Sequence, residues 1–186
     1  APPAGERASL VLANPPYVRH HHLAAEDKRR LQRRVAQELG LGISGLAGLY
    51  CYFLLLSDRW MADEGLAAWL IPSEFFDVNY GRVLREYLTQ RVTLLRVHRF
   101  DPSEVQFDDA LVSSVVLLFR KAAPEHDHRV EFSVGGSLEK PGRTREVQIG
   151  ALAASDRWTA FLNGHEDELT TGPRLGDFFR IKVQKG

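Results

Sequence analysis

Four consecutive residues near the start of the chain, Asn14, Pro15, Pro16 and Tyr17, have types that could carry chemistry. Proline fixes its backbone angle and lacks an amide donor, so two prolines make a rigid turn whose carbonyl groups need partners. The side-chain oxygen of Asn14 adds a further acceptor next to an aromatic residue. A flat ligand with an NH2 group fits this set, because its amine can donate to the acceptors while its ring stacks on Tyr17.

The position of this motif favours a binding role. Residues 8–13 form an apolar, β-rich run that stops at the prolines, which predicts a short buried strand. In open α/β sheets, ligands bind outside the carboxyl ends of the strands, where residues 14–17 would then lie. The alternative is a plain turn that ends the strand, since Asn-Pro is a common start of a turn.

The composition is that of a soluble globular protein of about one domain. Of the 186 residues, 44% are hydrophobic and 26% are charged. No apolar run approaches the roughly 20 residues that a membrane span needs, and the first residues lack the pattern of a signal peptide. The single cysteine, Cys51, excludes an internal disulfide and fits a reducing compartment. We therefore expect a cytoplasmic protein.

Hydrophobic periodicity and turn residues predict an α/β protein. The predicted helices cover residues 25–39, 49–62 and 81–90, and the predicted strands cover residues 8–13, 66–71, 92–100 and 111–120. This order indicates a mostly parallel sheet that ends in an antiparallel pair, because no helix separates the last two strands. The stretch "ADEG", residues 62–65, is predicted to turn the chain. After residue 121, short strands are predicted at 130–134 and 145–149, and residues 150–173 are weakly patterned.

Several stretches together resemble one enzyme family. The stretch "LVLANPPYVR" resembles the catalytic motif of amino-methyltransferases that use S-adenosylmethionine. Residues 47–88, from "AGLYCYFLLL" to "GRVLREYL", resemble the segment after this motif in gamma-class adenine-specific DNA methyltransferases of bacterial type II restriction-modification systems. The stretch "VQFDDALVSSVVLLFRK" resembles a later motif of that family, and "LGDFFRIKVQKG" resembles the approach to its target-recognition domain. The resemblance covers residues 8–121 and continues weakly to residue 186.

The resemblance implies a fold and a domain organisation. The expected fold is α/β: the C-terminal half of a Rossmann-like methyltransferase sheet that ends in an antiparallel strand pair, followed by a small β-rich connector. Residues 1–122 would be the base-binding part of the catalytic domain, and residues 123–173 would be the connector. Residues 174–186 would begin the target-recognition domain.

The resemblance also implies a cofactor, S-adenosylmethionine. In this family its site lies mainly upstream of the motif, in a glycine-rich turn and an acidic residue, and nothing before Asn14 matches either of them. We therefore expect most of the cofactor site to lie outside this segment, with Asn14 and Pro16 as the candidate contacts within it. The segment alone is expected to bind the cofactor weakly and to be inactive.

The catalytic roles implied by the resemblance fall on the motif. The target adenine of double-stranded DNA would be flipped out of the duplex, because a stacked base cannot reach such a pocket. The Asn14 side-chain oxygen and the Pro15 carbonyl would accept the two hydrogens of the adenine amine and aim its nitrogen at the methyl group. Tyr17 would stack on the base, and Phe107, in the later motif, would contact it from another side. Core packing is the alternative for Phe107.

A locally basic stretch follows the motif, although basic and acidic residues number 24 each in the whole chain. That balance does not favour a generic nucleic-acid binder, but it does not exclude a basic patch. A solvated helix face and a contact with DNA phosphates are both open interpretations. The candidates for phosphate contact are Arg19, Lys28, Arg29, Arg30 and Arg33.

Histidine and cysteine are two other residue types that could carry chemistry. His20, His21 and His22 are adjacent and would point in different directions, which suits a metal poorly, so we interpret them as loop residues and predict no metal site. Cys51 lies in a predicted buried helix and fits an inert packing thiol.

Two further functions remain open on the sequence alone. The motif also occurs in enzymes that methylate RNA or a protein glutamine, and a catalytically silent DNA-binding or specificity module could keep the fold. The long, partly basic insertion after Asn14 and the beginning of a recognition domain favour a DNA methyltransferase.

Overall fold

The computed structural model describes residues 6–101 and 113–163. Within them, the helices are α1 (Ala25–Leu39), α2 (Leu49–Ser57), α3 (Arg82–Gln90), α4 (Ile149–Ala154) and α5 (Thr159–Asn163). The strands are β1 (Ala8–Ala13), β2 (Met61–Pro72), β3 (Thr93–Arg99), β4 (Ser114–Arg120), β5 (Arg129–Gly136) and β6 (Pro141–Gln148). Short 3-10 turns at residues 20–22, 58–60, 73–76 and 79–81 connect these elements.

The strands form one mixed sheet in the order β1-β2-β4-β3-β5-β6. The pairs β1–β2 and β3–β5 are parallel, whereas β2–β4, β3–β4 and β5–β6 are antiparallel. The antiparallel pairing predicted for β3 and β4 is confirmed, but the expectation of a mostly parallel sheet is wrong. The reason is that β4 inserts between β2 and β3 and runs against both of them.

A long crossover joins the parallel strands β1 and β2, as parallel pairing requires. It contains α1, which ends at Gly40 in a left-handed conformation with φ of 68°, and α2. In the paired strands Ala13 lies opposite Trp69, so the carboxyl ends of β1 and β2 are adjacent. The loops that begin at residue 14 and at residue 73 therefore leave the same edge of the sheet.

The second helix is shorter than predicted. A helix was indicated over residues 49–62, but α2 ends at Ser57 and β2 begins at Met61. Residues 62–65, predicted as a turn, are an irregular part of β2, since Ala8 pairs with Met61 whereas Leu10 pairs with Leu66. The irregularity includes one residue in the left-handed region, Glu64, with φ of 60°. Residues 62–65 stay in the sheet because the Glu64 amide donates to the Lys121 carbonyl at 3.0 Å.

Residues 123–163 continue the same sheet. β5 and β6 cover the two predicted strands, and β5 joins beside β3, with Phe132 opposite Val97. The weakly patterned residues that follow contain Trp158, which is fully buried and donates its indole N–H to the Leu152 carbonyl at 3.1 Å. Its backbone amide donates to the Phe76 carbonyl, also at 3.1 Å. A single large aromatic side chain thus anchors a segment that periodicity does not reveal. The predicted domain boundary after residue 122 stays a prediction, and residues 174–186 lie outside the described residues.

Arg85 of α3 holds the turn that follows β2. It exposes 6% of its surface, and its guanidinium donates to the carbonyls of Phe75 and Val78. Burial lowers the pKa of this guanidinium, and Asp156 and Asp77 oppose that shift.

We predict that Arg85→Met lowers the free energy of unfolding by about 2–3 kcal/mol, because two carbonyls lose their hydrogen-bond donor. Urea unfolding measures this loss. Arg82→Met, on the exposed side of the same helix, is the matched control. Equal unfolding midpoints for the two variants would contradict the role given to Arg85.

Candidate active site

A cleft of about 320 Å³ lies where the loops after β1 and β2 meet. Its walls come from the loop after the motif, from the start of α2 and from the turns after β2. The lining residues are Tyr17, Val18, Arg19, His20, His21, Leu46, Gly48, Tyr50, Pro72, Glu74 and Tyr80. A volume of this size is at the lower end of the roughly 300–1,000 Å³ typical of small-molecule sites.

The motif residues differ in exposure. Pro15 is buried, whereas Asn14 and Pro16 are exposed. The Asn14 side chain makes no hydrogen bond to any described residue, so its amide oxygen is available to a ligand. The structure thus keeps one proline in the protein interior and presents the asparagine at the carboxyl end of β1.

Tyr17 is fixed from two sides while its ring lines the cleft. It is half-buried, and its hydroxyl donates to the Leu70 carbonyl of β2 at 3.3 Å. Burial raises the pKa of this hydroxyl, and a hydrogen bond with Ser114 of β4 opposes the shift. The ring position therefore depends on two strands that lie far from the motif in the sequence.

The motif loop also positions the start of α2. The Leu49 amide donates to the Val18 carbonyl at 2.9 Å, so an otherwise free amide of the first helical turn is satisfied by the loop. The Tyr50 ring folds back over Gly48, where an added Cβ would lie 3.0 Å from the ring. A larger residue at this position would require the ring to shift by a few tenths of an ångström.

The far wall of the cleft carries a pair of polar side chains. The Tyr80 hydroxyl donates to the Glu74 carboxylate at 2.7 Å. Burial raises the pKa of Tyr80, and the bond to Glu74 raises it further, so the phenol remains a donor. Sequence reasoning did not single out Glu74, Tyr80 or Tyr50. The available signal was that Glu74 closely follows Ile71 and Pro72 at the end of β2, and that Tyr50 lies in the stretch "AGLYCYFLLL", which carries part of the family resemblance.

The basic candidates lie on the rim of the cleft and on α1. Arg19 lines the cleft and is exposed. On α1, Arg30 pairs with Asp27 at 2.8 Å, and the Arg29 side chain donates to the Ala25 carbonyl. The other α1 candidates are Lys28, which is partly exposed, and Arg33, which is exposed and makes no hydrogen bond or ion pair with a described residue. The helix is tied to residues 43–48, next to the cleft, because Gln32 donates to the Ile43 carbonyl at 2.9 Å.

The three histidines form one 3-10 turn at the cleft rim. The rings of His20 and His21 are 5.4 Å apart and nearly perpendicular, and the rings of His21 and His22 are 4.1 Å apart. Loss of water around it and the neighbouring positive charges lower the pKa of His21. Of the three, His20 and His21 line the cleft, whereas His22 does not.

The two remaining residues singled out in the sequence are Cys51 and Phe107. Cys51 is buried in α2, and burial raises the pKa of its thiol to about 12, which agrees with an inert packing thiol. Phe107, predicted to contact the base, lies outside the described residues.

An apolar cavity of about 570 Å³ lies on the other side of α2, against β1. Its walls include Val11, Phe53 and Trp60. Leu10 and Leu12 of β1 expose 55% and 71% of their surfaces, and β1 forms one edge of the sheet. The prediction of a buried strand over residues 8–13 is therefore wrong for the described residues, because β1 is an edge strand and none of its residues is buried.

Residues 7–107 match the Eco57I restriction-modification methylase family. This region contains the motif, β1, β2 and every residue that lines the cleft. The chain belongs to that family. Similarity to individual curated proteins extends over more residues than this region.

Two curated relatives are type II methyltransferases. The chain is 29% identical over 176 residues to M.XamI of Xanthomonas campestris pv. amaranthicola, covering 93% of this chain and 33% of the relative. It is 32% identical over 137 residues to M.AccI of Acinetobacter calcoaceticus, covering 74% of this chain and 24% of the relative. The chain therefore spans about a third or less of the length of these relatives.

Solved structures share the fold. The type IIG restriction endonuclease BpuSI matches with a TM-score of 0.60 and 18% identity, over 77% of this chain and 19% of its own. The methyltransferase subunit of a type I restriction-modification system from Streptococcus thermophilus matches with a TM-score of 0.56 and 15% identity, over 100% of this chain and 35% of its own. The mixed sheet is thus a fold that this chain shares with these two proteins. Among the described residues, none of the helices is long and apolar enough to cross a membrane.

Proposed function

We propose that the protein to which this chain belongs is an adenine-specific DNA methyltransferase of a restriction-modification system. It would transfer a methyl group from S-adenosylmethionine to the exocyclic amine of an adenine flipped out of double-stranded DNA. The observation that carries this proposal is the position of the Asn-Pro-Pro-Tyr loop. The loop begins at the carboxyl end of the parallel strand β1 and lies beside a cleft lined by aromatic residues. Membership of the Eco57I family and the two type II methyltransferase relatives support it.

The chain's own residues have the properties that this reaction requires. The amide oxygen of Asn14, which bonds to no described residue, can accept one hydrogen of the target amine, and the Pro15 carbonyl is the second acceptor in the proposal. Two such bonds localise the nitrogen lone pair, which is otherwise delocalised into the ring, and fix its direction. The Tyr17 ring would stack on the base, worth roughly 1–3 kcal/mol, comparable to the cost of unstacking it from the duplex.

The described residues offer one wall of a cofactor site. Asn14 and Pro16 are exposed at the end of β1, and β1 is the edge strand, so no described strand lies beyond it. S-adenosylmethionine, when bound, would supply an activated methyl group on a positively charged sulfur. In this proposal the other walls come from a part of the protein that this chain does not span, which packs against the apolar surface of Leu10 and Leu12.

Methyl transfer by the full-length protein tests the function. The protein is incubated with S-adenosylmethionine carrying a tritiated methyl group and, separately, with duplex DNA, RNA and a glutamine-containing peptide. We expect label in DNA only and, after digestion to nucleosides, in N6-methyladenine. Label on cytosine, in RNA or in the peptide would overturn the substrate, and cofactor binding without transfer to any of them would indicate a silent module.

A charge on α1 is expected to contribute to DNA affinity. Because Arg33 is exposed and unpaired among the described residues, we propose that it contacts a phosphate. Arg33→Ala should weaken DNA binding equally for all sequences and reduce the slope of log K against log salt by about 1. Fluorescence anisotropy at several salt concentrations measures this. Arg143→Ala on β6, at the opposite edge of the sheet, is the control, and equal slopes for the two variants would contradict a phosphate contact.

A further inference from the structure

The Tyr50 hydroxyl is a buried polar group whose role the motif does not explain. Tyr50 exposes 3% of its surface, and its hydroxyl oxygen is buried without a hydrogen-bond partner among the described residues. The neighbouring Cys51 thiol is close enough to affect the pKa of this hydroxyl, but a thiol is only a weak acceptor and the pair does not have the geometry of a hydrogen bond. A buried hydroxyl without a partner costs stability, so its retention needs a reason other than packing.

The hydroxyl belongs to a residue of the cleft wall. Tyr50 lines the same cleft as Tyr17, and Gly48 leaves room for its ring to fold toward the motif loop. Burial raises the pKa of Tyr50, and the charge of Glu74 acts in the same direction, so the phenol keeps its proton and remains a donor. The cleft therefore combines an aromatic wall with an unused hydrogen-bond donor.

The chemistry of the cleft selects among possible ligand atoms. Three tyrosine rings, those of Tyr17, Tyr50 and Tyr80, favour a flat ring. The carboxylate of Glu74 disfavours a phosphate in the interior, whereas the cationic Arg19 and the histidines lie at the rim. A purine ring presents nitrogen acceptors at its edges and suits a phenol donor.

We propose that the Tyr50 hydroxyl donates a hydrogen bond to a ring nitrogen of the flipped target base and so helps to select that base. This inference rests on the proposed function, since it takes the cleft as the base pocket. Tyr50 acts as a specificity-determining residue, while the amine is held by the motif. A site built to donate to a ring nitrogen rejects a base that lacks it, because the donor is then left unpaired.

The test compares variants on target-base analogues. DNA affinity of the full-length protein is measured by competition for duplexes whose target adenine is replaced by 1-deaza-, 3-deaza- or 7-deazaadenine. For adenine, Tyr50→Phe should weaken binding on the order of tenfold. For one of the three analogues, the wild type and Tyr50→Phe should have the same DNA affinity, because that analogue lacks the ring nitrogen that accepts the Tyr50 hydrogen bond.

A matched control lies on the same helix. Tyr52 is equally buried, but its hydroxyl contacts the Ser44 carbonyl at 3.4 Å and it lines the apolar cavity instead of the cleft. Tyr52→Phe should leave all four affinities unchanged. The melting temperature of Tyr50→Phe should equal or exceed that of the wild type, since an unpaired buried hydroxyl is removed.

Each other outcome overturns the inference. No loss on adenine, or an equal loss on all three analogues, would leave Tyr50 without a role at a ring nitrogen. A lower melting temperature together with an equal loss would indicate a structural residue. If the wild type methylates adenine in DNA, these results reject the inference alone, whereas a wild type that does not methylate adenine rejects the proposed function and the inference together.

Discussion

Asn14→Ala in the full-length protein is expected to reduce methyl transfer to DNA by at least about 100-fold, the usual effect of removing one preorganised group that stabilises a transition state. In the proposed function, the Asn14 oxygen accepts one hydrogen of the target amine and localises the nitrogen lone pair. The side chain is exposed and bonds to no described residue, so stability should change by less than about 0.5 kcal/mol. Single-turnover transfer of tritiated methyl measures the chemical step directly.

The control for this variant is an amide elsewhere on the chain. Gln37 is exposed on α1, and Gln37→Ala should keep the rate of the wild type. DNA affinity should remain unchanged for Gln37→Ala and should fall by no more than about tenfold for Asn14→Ala, because that variant loses one hydrogen bond to the base but no charge of the basic surface. A rate for Asn14→Ala within a few-fold of wild type would reject the catalytic role of Asn14.

Gly81→Ala is expected to lower the free energy of unfolding by about 3 kcal/mol, near the upper end of the usual cost of overpacking. Gly81 has φ of −76°, which alanine tolerates, so the cost is steric. An added Cβ would lie 2.2 Å from the Phe75 carbonyl oxygen and 2.6 Å from its Cα, and these backbone atoms cannot move without displacing the turn. Urea unfolding followed by tryptophan fluorescence measures the change.

Gly150→Ala is the matched control for this substitution. No atom lies within 4 Å of a Cβ added at Gly150 in α4, so alanine there should stabilise the helix by roughly 0.5 kcal/mol. The turn that Gly81 closes carries Glu74 and Tyr80 into the cleft, so Gly81→Ala should also lower DNA affinity. Unfolding midpoints that are the same for the two variants would show that the turn can relax.

The elements that could be predicted are those with strong local signals. α1 begins and ends as predicted because Leu31, Val35 and Leu39 recur at helical spacing and Gly40 closes the helix. α2 was predicted too long because residues 58–60, which include Asp58 and Arg59 and form the 3-10 turn after the helix, have types that a helix also accepts. The change from helix to strand is set by pairing of residues 61–65 with β1 and with the chain after β4, which local sequence does not encode.

The candidate site also contains some residues that the sequence reveals and others that only the tertiary structure reveals. The motif residues could be selected from their types and order, but their roles remain proposals. The Glu74–Tyr80 pair and the Tyr50 hydroxyl could not be selected from the sequence, because the role of each depends on which residues surround it in the cleft. Tyr50 and Glu74 are separated by the whole of β2, and they meet only when that strand pairs with β1.

The sequence by itself determined the α/β class, most of the helices and strands, the motif at the end of β1 and the resemblance to restriction-modification methyltransferases. These features depend on residues close together in the chain, whose spacing reports which face is buried. The tertiary structure alone decided the place of β4 between β2 and β3, the anchoring of the last helices by Trp158, and the cleft. These depend on contacts between distant residues, such as the bond from Tyr17 to Leu70 across 53 positions, and no local pattern records such pairing.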